Sequence, residues 1–566
     1  MSAFSSKLGT NYCPTEDDIN EIHTILEEPI TQLRHLDAKI ADLQKSIDAL
    51  IVERDAVASF VESHQQLLSP IRRVPPELLQ DIFIACLPST DLAAMSASEA
   101  PLLLTGVCSR WRDIAIATPR LYSHFHVYCT LPGQDDHYPE TRKQAFAWRL
   151  ETMKLWIARS HPLPLSISFS CSQSGQNPVE NWVSYPFFIA LIDAAARWRE
   201  IAFHGPEHLL NLPQFVELRA EDVPHLRRLV LDPFAYDWPP PVHWNTAAFL
   251  SSPHLRSLRI ESSRLVSPIT LPIHWSTLTD LTLRDPSWEN LFTLEILLGF
   301  IVPTCTSLRY LRISLHEHTP EELVQEPDRA NPLVGPALQY LTLLINGPIS
   351  PLRVLGYLSL PKLHTLRIFS AQDQPVGDKL TQVEVARFFA TSVDLEGIFF
   401  DAAAFSKEEL MALVHMLPIG VRSLGLRLNP VRNMMWGEPV GWEAGPAHAN
   451  QPRQSCDDEV LELLADSEVV CPSLEEFFIE VVHTATEDAI LRFLLARQKT
   501  LKKARVKFCR PPSNDVEHQM LADRGFDISY PAKLKYPARP ASLHRQGWEG
   551  MCFGQDEELY GDRGGW

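Results

Sequence analysis

The stretch Pro253–Ile260 (PHLRSLRI) decides the fold, because its phrase returns at Thr277–Arg284 (TLTDLTLR) and at Ser307–Ser314 (SLRYLRIS). In each, a leucine is followed three residues later by L-x-L. Alternation along a strand puts the two later side chains on one face, and the first leucine packs beneath them. A single unit of this kind cannot cover its own apolar face. A neighbour stacked on it can, so the phrase predicts a repeat array.

Working outward, further copies fall at Leu226–Leu229–Leu231, Leu338–Leu341–Leu343, Leu363–Leu366–Ile368, Leu395–Ile398–Phe400 and Val421–Leu424–Leu426. Two more follow at Leu474–Phe477–Ile479 and Leu501–Ala504–Val506, and a divergent copy, Trp198–Ile201–Phe203, precedes the series. Starts lie 23–32 residues apart except for one step of 53, which is either a degenerate repeat or an insertion. Between strands, residues 291–300, 384–391, 407–417 and 487–498 have the periodicity of helices. The chain holds 45 Pro against 23 Gly, and Pro224, Pro253, Pro336, Pro361 and Pro472 each stand two residues before a repeat's first leucine. There Pro ends the incoming segment and leaves the strand's N–H groups to the ladder. These units resemble the irregular leucine-rich repeats of F-box proteins, although only Asn346 and Asn429 occupy the slot of the usual asparagine. The segment 436–451, with two Trp and two Pro, reads as an exposed insertion, either disordered or contacting a target, and 533–566 as an irregular acidic tail.

Upstream, Pro is absent from Ile30 to Ser69, and apolar residues step by three and four through Leu33, Leu36, Ile40, Leu43, Ile47, Leu50, Val57, Val61 and Leu68, interrupted by Arg54 at an a position and His64 at a d position. This is a heptad seam, predicting a helix over 30–69 that starts near Pro29, after an irregular segment 1–29. It is a possible coiled coil. The facing positions carry no complementary charges, and Ile51, Val52, Phe60 and Leu67 widen the stripe. Packing against a globular neighbour is therefore favoured over a homodimer.

Residues 70–125 form the next block. VPPELLQDIF (Val74–Phe83) reads as a helix opened by two prolines, and VCSRWRDIA (Val107–Ala115) as a second. About 50 residues carry more apolar surface here than they can bury by themselves, so a neighbour or a partner is needed. The two phrases, about 25 residues apart, resemble an F-box. Val74 replaces the usual Leu, and the insert Thr90–Glu99 is longer than in compact members. The resemblance implies docking onto the Skp adaptor of a cullin–RING ubiquitin ligase, through Pro75, Leu78, Leu79, Ile82, Phe83 and Leu87 in the first part and Val107, Cys108 and Trp111 in the second. The rest of the chain, 126–532, would then hold an unknown protein substrate.

The expected fold class is thus α/β: a leucine-rich-repeat solenoid preceded by an α-helical F-box and a long N-terminal α-helix. The expected function is the substrate-recognition subunit of an SCF-type (Skp–cullin–F-box) ligase, not an enzyme, with no cofactor and no metal. The competing expectation is a non-ligase scaffold using the coiled coil and the repeats. The exclusions agree with both. No Walker A loop, G-x-S-x-G, G-x-G-x-x-G or H-E-x-x-H occurs, and no cysteine pair has C-x-x-C spacing. The pairs His124/His126 and His316/His318 lack further ligands nearby. The net charge of −19 disfavours nucleic acid and anionic membranes as partners and leans weakly toward a basic target. The absence of a secretory leader, of N-x-S/T sites and of a long apolar run points to cytoplasm or nucleus.

Overall fold

The computed structural model describes residues 3–88, 92–130, 139–172, 185–234, 244–261, 268–284, 293–316, 331–346, 350–370, 382–402, 405–427, 456–508 (467, 469, 483 and 484 apart) and 527–529. It forms two compact units, residues 1–81 and 82–566.

The first unit is dominated by one helix, α1 (Glu16–Leu67), 52 residues long. It starts fourteen residues before the expected Ile30, so the irregular segment 1–29 is corrected to 1–15. Two causes act together. The three–four spacing continues upstream at Ile19, Ile22 and Leu26, and Pro29 falls inside that register rather than at a first turn. The start is set by Thr15 and Asp18, each accepting the other's backbone N–H (2.9 and 3.3 Å) in a capping box. Bonds from Thr15, and from the Tyr12 hydroxyl at 2.8 Å, hold the Asp18 carboxyl down at about 2. A proline inside the helix removes one i→i−4 bond, a local loss that a 52-residue helix survives. A second helix, α2 (Pro76–Ala85), follows a short 3₁₀ turn at Pro70–Arg73.

The second unit is a parallel sheet of fifteen strands in which each strand pairs with its successor in sequence, apart from a two-residue pair, Leu333–Val334 with Leu358–Ser359, that forms a small sheet of its own. The repeat phrase sets the register. Ile201, Leu229, Leu258, Leu281, Leu311, Leu341, Leu366, Ile398, Leu424, Phe477 and Ala504 stand in one line across eleven strands. The second L-x-L position, from Phe203 through Leu283 to Val506, makes a parallel line, and both lines are buried. This is one strand per repeat, the arrangement the leucine spacing dictates.

Four strands lie beyond the predicted copies: Ala93–Ala94, His124–Thr130, Leu165–Ser172 and Asp527–Ser529. In the second and third, Phe125/Val127 and Ile167/Phe169 take the positions of the leucines. Any apolar residue that fits a half-buried pleat can do so, which hides these copies from a search for leucine. The first strand comes from the insert Thr90–Glu99 and pairs with Phe125 and His126. The sheet therefore begins inside the segment 70–125, not at residue 126. The 53-residue step is settled too: Ser423–Arg427 pairs directly with Glu476–Val482, so the step contains an insertion, not a missing strand. The segments 436–451 and 533–566 lie outside the described residues.

Before most strands a tight turn delivers the first repeat residue. Leu226, Leu255, Leu338, Leu363 and Leu474 each donate their N–H to the carbonyl three residues back. The five prolines therefore sit at the second position of a β-turn, where their fixed φ is already correct. This refines their expected role as simple breakers. Returning segments are helical in the later repeats, at Gln382–Thr391, Lys407–His415, Asp458–Ala465 and Glu487–Ala496. Earlier repeats carry 3₁₀ turns such as Ala248–Ser251 and Trp275–Thr277. The expected helix at 291–300 is a π-helical stretch, Ile296–Ile301, running into a short α-turn.

Candidate interaction surfaces

Two groups of residues stand out, and the first comprises those of the paired helical phrases. On α2 the spacing divides the apolar side chains between two faces. Leu79 and Phe83 are fully buried, whereas Leu78 is 55% and Ile82 41% exposed. Pro75 is exposed and Leu87 half-buried. Further along, a short helix, α3 (Leu102–Thr105), leads into α4 (Ser109–Ile116). Cys108 caps α4, its Sγ accepting the Trp111 N–H at 3.5 Å, and Arg112 Nε ties α4 back to the Thr105 carbonyl at 2.9 Å. Trp111 packs on Phe83 with ring centroids 4.8 Å apart. Val107, in the α3–α4 turn, is 56% exposed.

The nine residues of the first phrase pair therefore divide. Phe83 and Trp111 come together and fix helix packing, Leu79 is interior, Leu87 is half-buried, and Cys108 is an N-cap. Pro75, Leu78, Ile82 and Val107 are the ones that present surface. Leu103 is also half exposed, and a shallow groove between this region and the helix Pro139–Arg159 leaves Trp148 and Leu155 more than half exposed. None of these three was singled out in the sequence. Trp148 and Leu155, seven residues apart on one helix, were the available signal.

The second group lies on the sheet face opposite the leucines. The x of each L-x-L points there, and the register lines up Arg259, Thr282, Arg312, Thr342, Arg367, Phe399, Gly425 and Phe478 on eight adjacent strands. Arginine alternates with threonine over five of them, then aromatic residues take over. Arg367 lies over the Phe399 ring at 5.0 Å, and Phe399 is 6.1 Å from Phe478. One row below, Tyr310 and Tyr340 stack at 5.6 Å.

A single buried carboxylate sits among the arginines. Glu261 accepts from Arg259 Nε at 2.6 Å and from Arg284 Nη1 at 3.1 Å, so its two oxygens are taken. Burial pushes the Glu261 carboxyl up, but Arg259, Arg284 and Arg312 outweigh it and hold the group well below the ordinary range. Arg312 makes no ion pair among the described residues, and its Nε, like that of Arg284, is buried without a partner. Burial, together with the neighbouring Arg259, Arg284 and Arg367, lowers Arg312 to about 10 despite Glu261. Within an acidic chain this row is locally cationic.

The histidine pairs play other parts. His126 is buried with Nδ1 3.1 Å from Ser168 Oγ, and His124 Nδ1 lies 2.8 Å from Ser123 Oγ. His318 lies outside the described residues. Among those described, no three His, Cys, Asp or Glu side chains are grouped as metal ligands, and no helix is long and apolar enough to cross a membrane.

No protein-family model matches the chain, and no curated protein matches it. Solved structures similar to it include the leucine-rich repeat-containing protein LegL7 from Legionella pneumophila, at 12% identity and a TM-score of 0.28, over 70% of this chain and 97% of that one. The repeat assignment rests on the strand register and the buried leucine lines described above.

Proposed function

We propose that this chain is the non-catalytic substrate-recognition subunit of an SCF-type ubiquitin ligase, with the 70–125 module docking a Skp adaptor and the repeat array holding the target. The observation that carries the reading is the combination of the two-part F-box phrase with apolar side chains left in solvent on its helices, Leu78, Ile82 and Val107. Apolar surface of that kind, beside the buried Leu79 and Phe83 of the same helix, is what a docking partner covers. Its function would be proximity: holding a target beside a ubiquitin-loaded enzyme makes a bimolecular transfer effectively intramolecular. Proline-opened α2 and Cys108-capped α4 supply rigid supports for that contact.

A second reading is a non-ligase scaffold that assembles through α1 and binds a partner on the array. It is favoured by the exposure of the α1 seam, where Leu33, Ile40 and Leu50 are each at least 60% exposed. The two separate on one experiment, co-purification of the full chain with a Skp adaptor. The ligase reading expects a stoichiometric complex that Leu78→Asp with Val107→Asp abolishes. The scaffold reading expects no complex with either chain.

A further inference from the structure

We propose that the arginine–threonine row on the sheet face opposite the leucines is a binding site for an extended acidic protein segment. This deepens the target-binding role of the array and is independent of adaptor docking. Strands are ~4.8 Å apart, so Arg259, Arg312 and Arg367, on every second strand, recur at roughly 10 Å. A peptide laid across the strands in the extended polyproline II conformation advances ~3.1 Å per residue and turns once in three, so acidic side chains three residues apart lie on one side and meet successive guanidiniums. Thr282 and Thr342, both buried, form the floor between them, and Phe399 and Phe478 continue the row as an apolar end. Three arginines, Arg259, Arg284 and Arg312, surround one carboxylate whose bonds go to Arg259 and Arg284, which leaves the Arg312 Nε without a partner. Guanidiniums pair with carboxylate or phosphate in a two-pronged geometry, so both anions satisfy the site.

The test is fluorescence anisotropy on the full chain. The probe is a labelled peptide with Glu at every third position and a terminal Phe, run beside its Gln and phosphoserine counterparts. The Glu peptide should bind, more weakly at higher salt, and the Gln peptide at least tenfold more weakly. Arg312→Gln should cost about tenfold for the Glu peptide, while Arg312→Lys should retain most of the binding. Tighter binding of the phosphoserine peptide would name phosphate as the preferred anion of the same site. Equal binding of Glu and Gln peptides, an unaffected Arg312→Gln chain, or a preference for single-stranded nucleic acid would overturn the proposal. Adaptor co-purification of Arg312→Gln, read in parallel, keeps this result separate from the ligase reading.

A second, independent observation concerns α1, whose seam is exposed from Ile19 to Val61 apart from the half-buried Ile22. We infer that it pairs antiparallel with a second copy of this chain. With Glu16 aligned on the partner's Leu67 the whole helix overlaps, and each seam residue meets its complement: Ile40 with Leu43, Leu33 with Leu50, Leu36 with Ile47. In this register two of the irregular seam residues, Pro29 and Arg54, face each other, and the third, His64, meets Ile19. A parallel pair would instead set Arg54 against its own copy. The flanking apolar residues pair as well, Ile25 with Phe60 and Ile30 with Ile51, and no like charges meet. Covering the seam of both copies removes roughly 1,500–2,000 Å² from water, the size of a stable interface. Light scattering on the full chain should give twice 64.1 kDa, and Ile40→Glu with Leu43→Glu should return it to the single-chain mass. Mixed Leu36→Cys and Ile47→Cys chains should yield a 36–47 disulfide on peptide mapping. A single-chain mass for the unmodified protein, or 36–36 bonds instead, would overturn it.

Discussion

At the residue scale, buried arginines do what the leucine pattern cannot. Arg497 is 1% exposed and donates to the carbonyls of Leu464 (2.8 Å), Cys471 (2.9 Å), Asp466 (3.2 Å) and Val470. Arg197 does the same at the other end of the array, donating to Leu163 (3.0 and 2.9 Å) and Ile157 (2.9 Å). Each gathers backbone acceptors from the preceding repeat, where a helix or turn ends and its carbonyls have no ladder to join. Leaving such acceptors unpaired costs about 1–3 kcal/mol each. Arg497→Met keeps the bulk and removes the donors, so it is expected to destabilise the C-terminal repeats by at least ~3 kcal/mol. Thermal melting checks this, with the exposed Lys502→Met as a control expected to stay within ~0.5 kcal/mol. Neither arginine is legible in the sequence, because an arginine satisfied by carbonyls looks like any surface arginine until the chain is folded.

At the scale of elements, the signal and the miss on α1 have one physical origin. Heptad spacing marked the helix, but Pro29 was read as its start because proline is tolerated best in a first turn. The better signal was the T-x-x-D box at Thr15–Asp18 just before Ile19. For α2 the sequence identified the helix but could not divide its faces, since Leu78 and Leu79 are adjacent and chemically the same. Burial separates them. Leu79→Ala is expected to cost about 2–5 kcal/mol of stability, the range for an interior leucine. Leu78→Ala is expected to cost within ~0.5 kcal/mol. Denaturant unfolding of both variants measures the difference, and equal losses would contradict the two-face description.

At the scale of the whole molecule, the leucine lines made the array legible from Trp198 to Val506. The copies written in aromatic and β-branched residues stayed hidden, as did the strand drawn from the Thr90–Glu99 insert. The interaction face was not legible at all, because its members are single residues 23–32 apart that meet only through strand register. Net charge does not speak to it for the same reason: −19 is a sum over the chain, whereas a ligand meets a row. The claim that binds these parts is that residues 70–125 dock an adaptor while the array holds a target. Co-purification of the full chain with a Skp adaptor tests it most directly. The account predicts a one-to-one complex that survives Arg312→Gln and is lost with Leu78→Asp and Val107→Asp, at a cost of about 2–4 kcal/mol per anchor. No complex with the unmodified chain, or a complex indifferent to both substitutions, would contradict it.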